Sequence, residues 1–177
     1  RCGLFNGDIR FSAVDLATGQ QVWTRSHGFI HPTVDPIVSG ARILVVYDGI
    51  SLLEMAPGAP TTVWTDSDFD SNPSTPVMVE GFVYGSNKGN LSFPNLAWGQ
   101  FEATAIPVRC MEFTTGKVMW DSPENMPFVS TCAAAGMLIL LDVSGILRIV
   151  EASPVEYRQI SSADVLGGLK RPRRFVV

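Results

Sequence analysis

Along this chain, apolar and polar positions alternate in short runs that are cut off by Gly, Pro, Asp, Asn or Ser before a helical period can establish itself. Ala41-Arg-Ile-Leu-Val-Val-Tyr47 and Gly136-Met-Leu-Ile-Leu-Leu-Asp142 are rich in β-branched and aliphatic residues, and a Gly turn lies on either side of each. The pattern predicts strands near 34–39, 42–47, 50–55 and 61–65, then 74–79, 82–86, 108–113 and 117–121, then 129–134, 137–142, 146–151 and 156–160. Two further strands are expected between Ile9 and Arg25. Nothing in the pattern calls for a helix, so the expected class is all-β with antiparallel hairpins.

The strands repeat as a unit. Ala13-Val-Asp15-Leu-Ala-Thr18-Gly19-Gln-Gln-Val-Trp23 and Cys110-Met-Glu112-Phe-Thr-Thr115-Gly116-Lys-Val-Met-Trp120 share an alternating run, an acidic residue, a Thr-Gly turn and a closing Trp. Trp23 and Trp64 are 41 residues apart, and Trp64 and Trp120 are 56 apart. The excess of about 15 is absorbed by one inserted loop, Leu91 to Pro107. A second phrase, an apolar run meeting a Gly turn and then a β-branched or aromatic run, recurs at Asp35–Ile50, Thr75–Gly89 and Cys132–Ile146. A period of roughly forty residues is the length of one four-stranded propeller blade.

The expected organisation is a partial propeller over residues 1–166, with a half blade at 1–25 and blades at about 30–66, 72–121 and 128–161, so about three and a half blades. Rings close with about 4 to 8 blades, and the chain therefore reads as a fragment of a longer propeller. The basic stretch 167–177, with Lys170-Arg-Pro-Arg-Arg174, breaks the repeat and is expected to be an unstructured tail or a truncation artefact.

Composition narrows the function classes. Charged residues are 17% of the chain and the net charge is −4, with the basic residues clustered only in the tail, which argues against a nucleic-acid partner. No apolar stretch is long enough for a transmembrane helix, since Cys132 to Leu141 is broken at Gly136 and is about half the required length.

The phrase Ala-x-Asp-x-x-Thr-Gly-x-x-x-Trp, complete at 13–23 and varied at 110–120, resembles the tryptophan-docking repeat of the pyrroloquinoline quinone (PQQ)-like β-propeller superfamily. The resemblance implies that Trp23 and Trp120 pack between neighbouring blades. It implies too that the acidic residues (Asp15 in the complete copy) and the turns Thr18-Gly19 and Thr115-Gly116 join inter-blade hydrogen bonds. Two units depart from it. The unit ending in Trp64 has Pro57-Gly58-Ala-Pro60 in place of Thr-Gly, and Glu151 to Ile160 has lost both the turn and the Trp.

Two functions follow from the resemblance. Quinoprotein dehydrogenases of the superfamily hold PQQ over calcium, with a vicinal Cys-Cys pair, and this chain has three cysteines, Cys2, Cys110 and Cys132, none adjacent. The non-catalytic branch, including outer-membrane assembly lipoproteins, needs only the tryptophan girdle. The expected role is a non-catalytic binding or scaffold surface with a protein partner in the bacterial periplasm or cell envelope. No catalytic or cofactor-binding residue is assigned in this segment. The alternative is a fragment of a PQQ- and calcium-dependent alcohol or sugar dehydrogenase, with PQQ and calcium held in the parent protein and the active site mostly outside this segment.

Other candidate chemistry is sparse. Asp66, Asp68 and Asp70 have the alternate spacing of a calcium loop's first ligands, but Ser71 and Val77 stand where such a loop needs Gly and Glu. His31 with Asp35 is the best polar pair near a strand start, and His27 completes the histidines. Cys110 and Cys132 lie on predicted strands among apolar residues and are expected to be buried thiols. The loop Leu91 to Pro107 carries Phe93, Trp98 and Phe101 and is the expected contact loop.

Overall fold

The structure, a computed structural model, describes residues 2–7, 10–26, 34–47, 49–56, 58–69, 71, 74–87, 91–95, 100–103 and 105–167. His27, His31, Asp70, Trp98 and the tail from 168 onward lie outside the described residues. Every regular element among the described residues is a strand.

The strands form four blade-like sheets in chain order. Sheet I holds β1 (Cys2–Gly7), β2 (Arg10–Asp15) and β3 (Gln21–Ser26), and sheet II holds β4 (Ile37–Ser39), β5 (Arg42–Val46), β6 (Ile50–Glu54) and β7 (Thr61–Asp66). Sheet III begins with β8 (Val77–Val79) and β9 (Phe82–Ser86), and a separate hairpin, β10 (Leu91–Asn95) with β11 (Gln100–Ala103), follows. The sheet then resumes with β12 (Ile106–Glu112), which pairs directly with β9, and ends with β13 (Val118–Met126). Sheet IV is β14 (Val129–Ala134), β15 (Met137–Asp142), β16 (Ile146–Glu151) and β17 (Gln159–Asp164). All pairings are antiparallel, as hairpin connections require.

The register gives each sheet one cross-strand row of side chains. In sheet I the row is Leu4, Ala13, Trp23, and in sheet II it is Ile37, Leu44, Leu52, Trp64. In sheet III it is Val77, Tyr84, Cys110, Trp120, and in sheet IV it is Cys132, Ile139, Ile149, Ser161. Directly paired residues project to the same face, so each row lies on one side of its sheet. Each row ends beside a register shift at the same place in the last hairpin, at Ala13/Val14, Leu52/Leu53, Cys110/Met111 and Ile149/Val150. A recurring bulge of this kind adds local twist and re-aims the residue beside it.

The rows point toward the next sheet in the chain. Leu44, Val46, Ile50 and Leu52 of sheet II are buried against Val83, Met111 and Phe113, and Tyr84, Val108 and Cys110 of sheet III against Leu138, Leu140 and Val150. Phe11, Ala13 and Trp23 meet Ile43, Val45 and Leu53 in the same manner. Each fully buried large aliphatic side chain contributes about 1.5–3 kcal/mol, so these three interfaces are the core.

Four expectations are corrected. Sheet I has three strands rather than two, because Cys2–Gly7 pairs along β2, and the Asn6-Gly7 pair is the hairpin signal that announces it. The segment Leu91 to Pro107 is not one loop: Leu91 pairs with Ala103 and Ser92 with Glu102. Its last residues belong to β12, which holds Ile106 and Pro107 against an extension of β13 to Met126. The last strand begins at Gln159 rather than 156, because Glu151 N–H donates to the Arg158 carbonyl at 2.9 Å and closes a longer turn.

Candidate functional site

The repeated turns are held by hydrogen bonds within themselves. Asp15 Oδ1 accepts the backbone N–H of Ala17 at 3.0 Å and of Thr18 at 2.9 Å, and the Thr18 hydroxyl at 3.0 Å. Those bonds hold the Asp15 carboxyl below the usual carboxylate range, the Thr18 N–H first among them. Gly19 N–H closes onto Asp15 O at 2.8 Å with φ of +71°, a conformation that glycine adopts without a Cβ penalty. The second copy matches: the Thr115 hydroxyl bonds to Glu112, Gly116 N–H donates to Glu112 O at 2.9 Å, and Gly116 φ is +72°. The acidic residues therefore serve their own turns. The short Asp15 side chain meets the N–H groups two and three residues on.

Contact between sheets runs through the tryptophans. Trp64 Nε1 donates to Phe113 O at 3.0 Å, and its ring lies over Gly116, where a Cβ would come within 2.7 Å. Trp120 Nε1 donates to Ser153 O at 2.8 Å and stands edge-on to Tyr157, with ring centroids 5.7 Å apart. Trp23 packs tilted on Phe11 at 5.5 Å and lies in the cluster that includes Leu53 and Met55. In the first two contacts an indole of one sheet reaches the last turn of the next, and Trp120 does so at a turn without Thr-Gly. Register places Ser161, not Ile160, at the tryptophan position of sheet IV.

Arginines add a second link. Arg109 binds Asp121 through two nitrogens at 2.7 and 2.9 Å and reaches Asp66 of sheet II at 3.3 Å. Arg148 pairs with the buried Asp142 at 2.7 Å and with Glu124 of sheet III at 3.6 Å.

Asp66, offered by the sequence as a calcium ligand, thus faces a guanidinium, and its other oxygen accepts Asp68 N–H at 2.8 Å. Among the described residues no three His, Cys, Asp or Glu side chains gather as a metal site. An open cleft of about 410 Å³ is lined by Arg25, Tyr47, Ile50, Ser51, Thr65, Asp66 and Ser67. It offers hydroxyls and one guanidinium beside a carboxylate already paired with Arg109, and no nucleophile and base are brought together there.

The cysteines divide. Cys110 is buried beside Tyr84, and burial pushes its thiol up to about 11 and the Tyr84 hydroxyl higher than usual. Cys132 is exposed, which corrects the expectation of a buried thiol: it lies in the sheet IV row, which no other sheet among the described residues covers. Cys2 is exposed as well. Phe93 and Phe101 lie on the two strands of the β10–β11 hairpin, and Trp98 falls outside the described residues.

No family model matches the chain. It is 35% identical over 101 residues to the outer membrane protein assembly factor BamB of Salmonella typhimurium, a match over 56% of this chain and 24% of that protein. The europium-containing methanol dehydrogenase superposes on 89% of the chain and 38% of its own, with TM-score 0.59 and 11% identity. The quinohemoprotein alcohol dehydrogenase ADHIIG of Pseudomonas putida HK5 superposes on 89% of the chain and 32% of its own, with TM-score 0.57 and 13% identity. The chain has the fold of a β-propeller fragment. Its sheets I to IV are propeller blades, and its match spans about a quarter of the curated relative's length. No helix among the described residues is long and apolar enough to cross a membrane. Among the described residues no group of three possible ligands for a calcium ion gathers, the Asp15 carboxylate bonds to its own turn, Asp66 and Asp142 are paired with arginines, and the three cysteines are not adjacent in sequence, so these residues do not fit a PQQ and calcium site.

Proposed function

We propose that this PQQ-like propeller chain is a non-catalytic binding or scaffold surface that works in the periplasm or cell envelope with a protein partner. The observation that carries this reading is the β10–β11 hairpin. It forms a two-stranded sheet of its own, inserted between the directly paired strands β9 and β12 of a blade clamped by Trp64, Trp120, Arg109 and Arg148. Rigid blades with one added hairpin suit recognition, because the contact element is held without a further entropy cost to its base. The tryptophan-docking role of Trp23, Trp64 and Trp120 supplies the rigidity. The similarity to an outer membrane protein assembly factor supports a partner of that class.

A photo-crosslinking residue placed in turn at Phe93 and Phe101, in cells of a bacterial host, tests the reading. An adduct with an outer-membrane assembly protein at either position, and none from a control at the exposed Glu156, is the expected result. Adducts no more frequent than the control would remove the hairpin as the contact surface. Titration with PQQ, with and without calcium, tests the catalytic alternative: saturable binding with dye reduction by simple alcohols would overturn the scaffold reading.

A further inference from the structure

Just beyond its forward row, the row that points to the next sheet, each of sheets II and III offers a carboxylate to an arginine of its neighbour. Asp66, two residues after Trp64, pairs with Arg109 at 3.3 Å, and Glu124, four residues after Trp120, pairs with Arg148 at 3.6 Å. The two arginines hold the same place in their sheets, directly before the row residues Cys110 and Ile149. The contact between sheets I and II departs from this. Arg25, two residues after Trp23, stands where sheet II has Asp66, and opposite it Ser51 stands at the place of Arg109, with Thr65 at the place of Asp121. Arg25, Ser51, Thr65 and Ser67 line the cleft of about 410 Å³. Among the described residues, neither the Arg25 guanidinium nor the hydroxyls of Ser51, Thr65 and Ser67 have a hydrogen bond or ion pair, although Ser51 is only 6% exposed. The carboxylate of the cleft, Asp66, is taken by Arg109 and by Asp68 N–H at 2.8 Å.

We propose that the cleft between sheets I and II binds a carboxylate, presented by an acidic side chain of a partner peptide. Arg25 supplies a planar fork of charged N–H donors, and the three hydroxyls supply further donors around it. A guanidinium half-buried between two sheets gains most from a partner that accepts several of its N–H groups at once, and charge-assisted bonds to a carboxylate are the strong ones. A carboxylate rather than another anion is assigned because carboxylates complete the arginine links at the other two sheet contacts. The cleft falls within the range of about 300–1,000 Å³ usual for ligand sites. It lies between two sheets of one chain and uses no residue of the β10–β11 hairpin, so the assignment does not rest on the scaffold reading and its failure would leave that reading standing.

Fluorescence anisotropy of a labelled Glu-Glu-Glu peptide titrated with the 177-residue chain tests the proposal, with a Gln-Gln-Gln peptide as control and circular dichroism to check the fold of each variant. The expected result is saturable binding at least tenfold tighter for the glutamate peptide, weakened at least tenfold by Arg25→Gln and unchanged by Arg10→Gln, an exposed arginine of the same sheet outside the cleft. Thr65→Asp, at an exposed position, supplies the missing carboxylate from within the chain, and should both abolish peptide binding and raise the denaturant midpoint. Equal affinity for the two peptides, no binding of either, or equal losses in Arg25→Gln and Arg10→Gln would each overturn the proposal. So would inorganic phosphate that displaces the peptide at lower concentration than glutarate does, because the site would then select a different anion.

Discussion

The Asp15–Gly19 and Glu112–Gly116 turns have similar sequences and share the Gly N–H closure and the Thr hydroxyl bond to the carboxylate, yet they live in different surroundings. Gly116 lies under the ring of Trp64, and Phe113 is buried, while Gly19 has no atom near its absent Cβ and Leu16 stands in solvent. The turn is thus complete before anything docks on it. Docking adds apolar burial and one indole hydrogen bond, and these come from the neighbouring sheet. Motif and function separate here, because the first is local chemistry and the second is a tertiary contact.

The strongest way to break the comparison is to remove a docked indole. Trp120→Ala should destabilise the chain by about 3–5 kcal/mol in chemical denaturation, as large-to-small changes of buried aromatics do. A loss under about 1 kcal/mol would mean that the ring carries no inter-sheet packing. Next comes the glycine pair. Gly19→Ala carries only the left-handed backbone penalty, about 1–2 kcal/mol. Gly116→Ala carries the same penalty plus a clash with the Trp64 ring, a further 1–3 kcal/mol or so. Equal losses at the two sites would refute the docked geometry.

A smaller effect is expected on raising the pH. Burial raises the Cys110 thiol to about 11, so the unfolded chain loses that proton before the folded one does. The native state then binds more protons than the unfolded state, and stability falls as the pH rises from the ordinary thiol range toward 11. The raised Tyr84 hydroxyl acts in the same direction. Denaturant midpoints across that range should decline in the native sequence and decline less in Cys110→Ala. The smallest effect is one of labelling alone. A maleimide should modify Cys2 and Cys132 under native conditions and leave Cys110 unmodified until denaturant is added. Early labelling of Cys110 would contradict the sealed forward row of sheet III.

Much of the fold was legible because the features that announce it are short-range. The Gly and Asx turns, the alternating runs and the repeated tryptophans put most strands of sheets II to IV near their observed positions. The strand β1 carried a signal too, the hairpin dipeptide Asn6-Gly7, but the run before it, Cys2-Gly-Leu-Phe5, is short and interrupted by Gly3, and it is the pairing with β2 that makes it a strand. The hairpin of β10 and β11 was hidden by its Pro and aromatic residues, which read as loop. Cys132 resembled Cys110 in local sequence but not in environment.

By itself, the sequence determined the strand-and-turn repeat and the left-handed glycines that close its turns, because those depend on sterics and hydrogen bonds within a few residues. It also determined where the tryptophans fall in that repeat. Only the tertiary structure decided that Trp64 seats on Gly116, that Trp120 finds Ser153 without a Thr-Gly turn, and that Arg109 pairs with Asp66 of the neighbouring sheet. It decided as well that Ser161 takes the tryptophan position and that Cys110 is sealed while Cys132 is open. Each of those outcomes depends on which sheet lies across a face, and burial of that kind is a property of neighbours distant in the chain rather than of the residue's own surroundings in sequence.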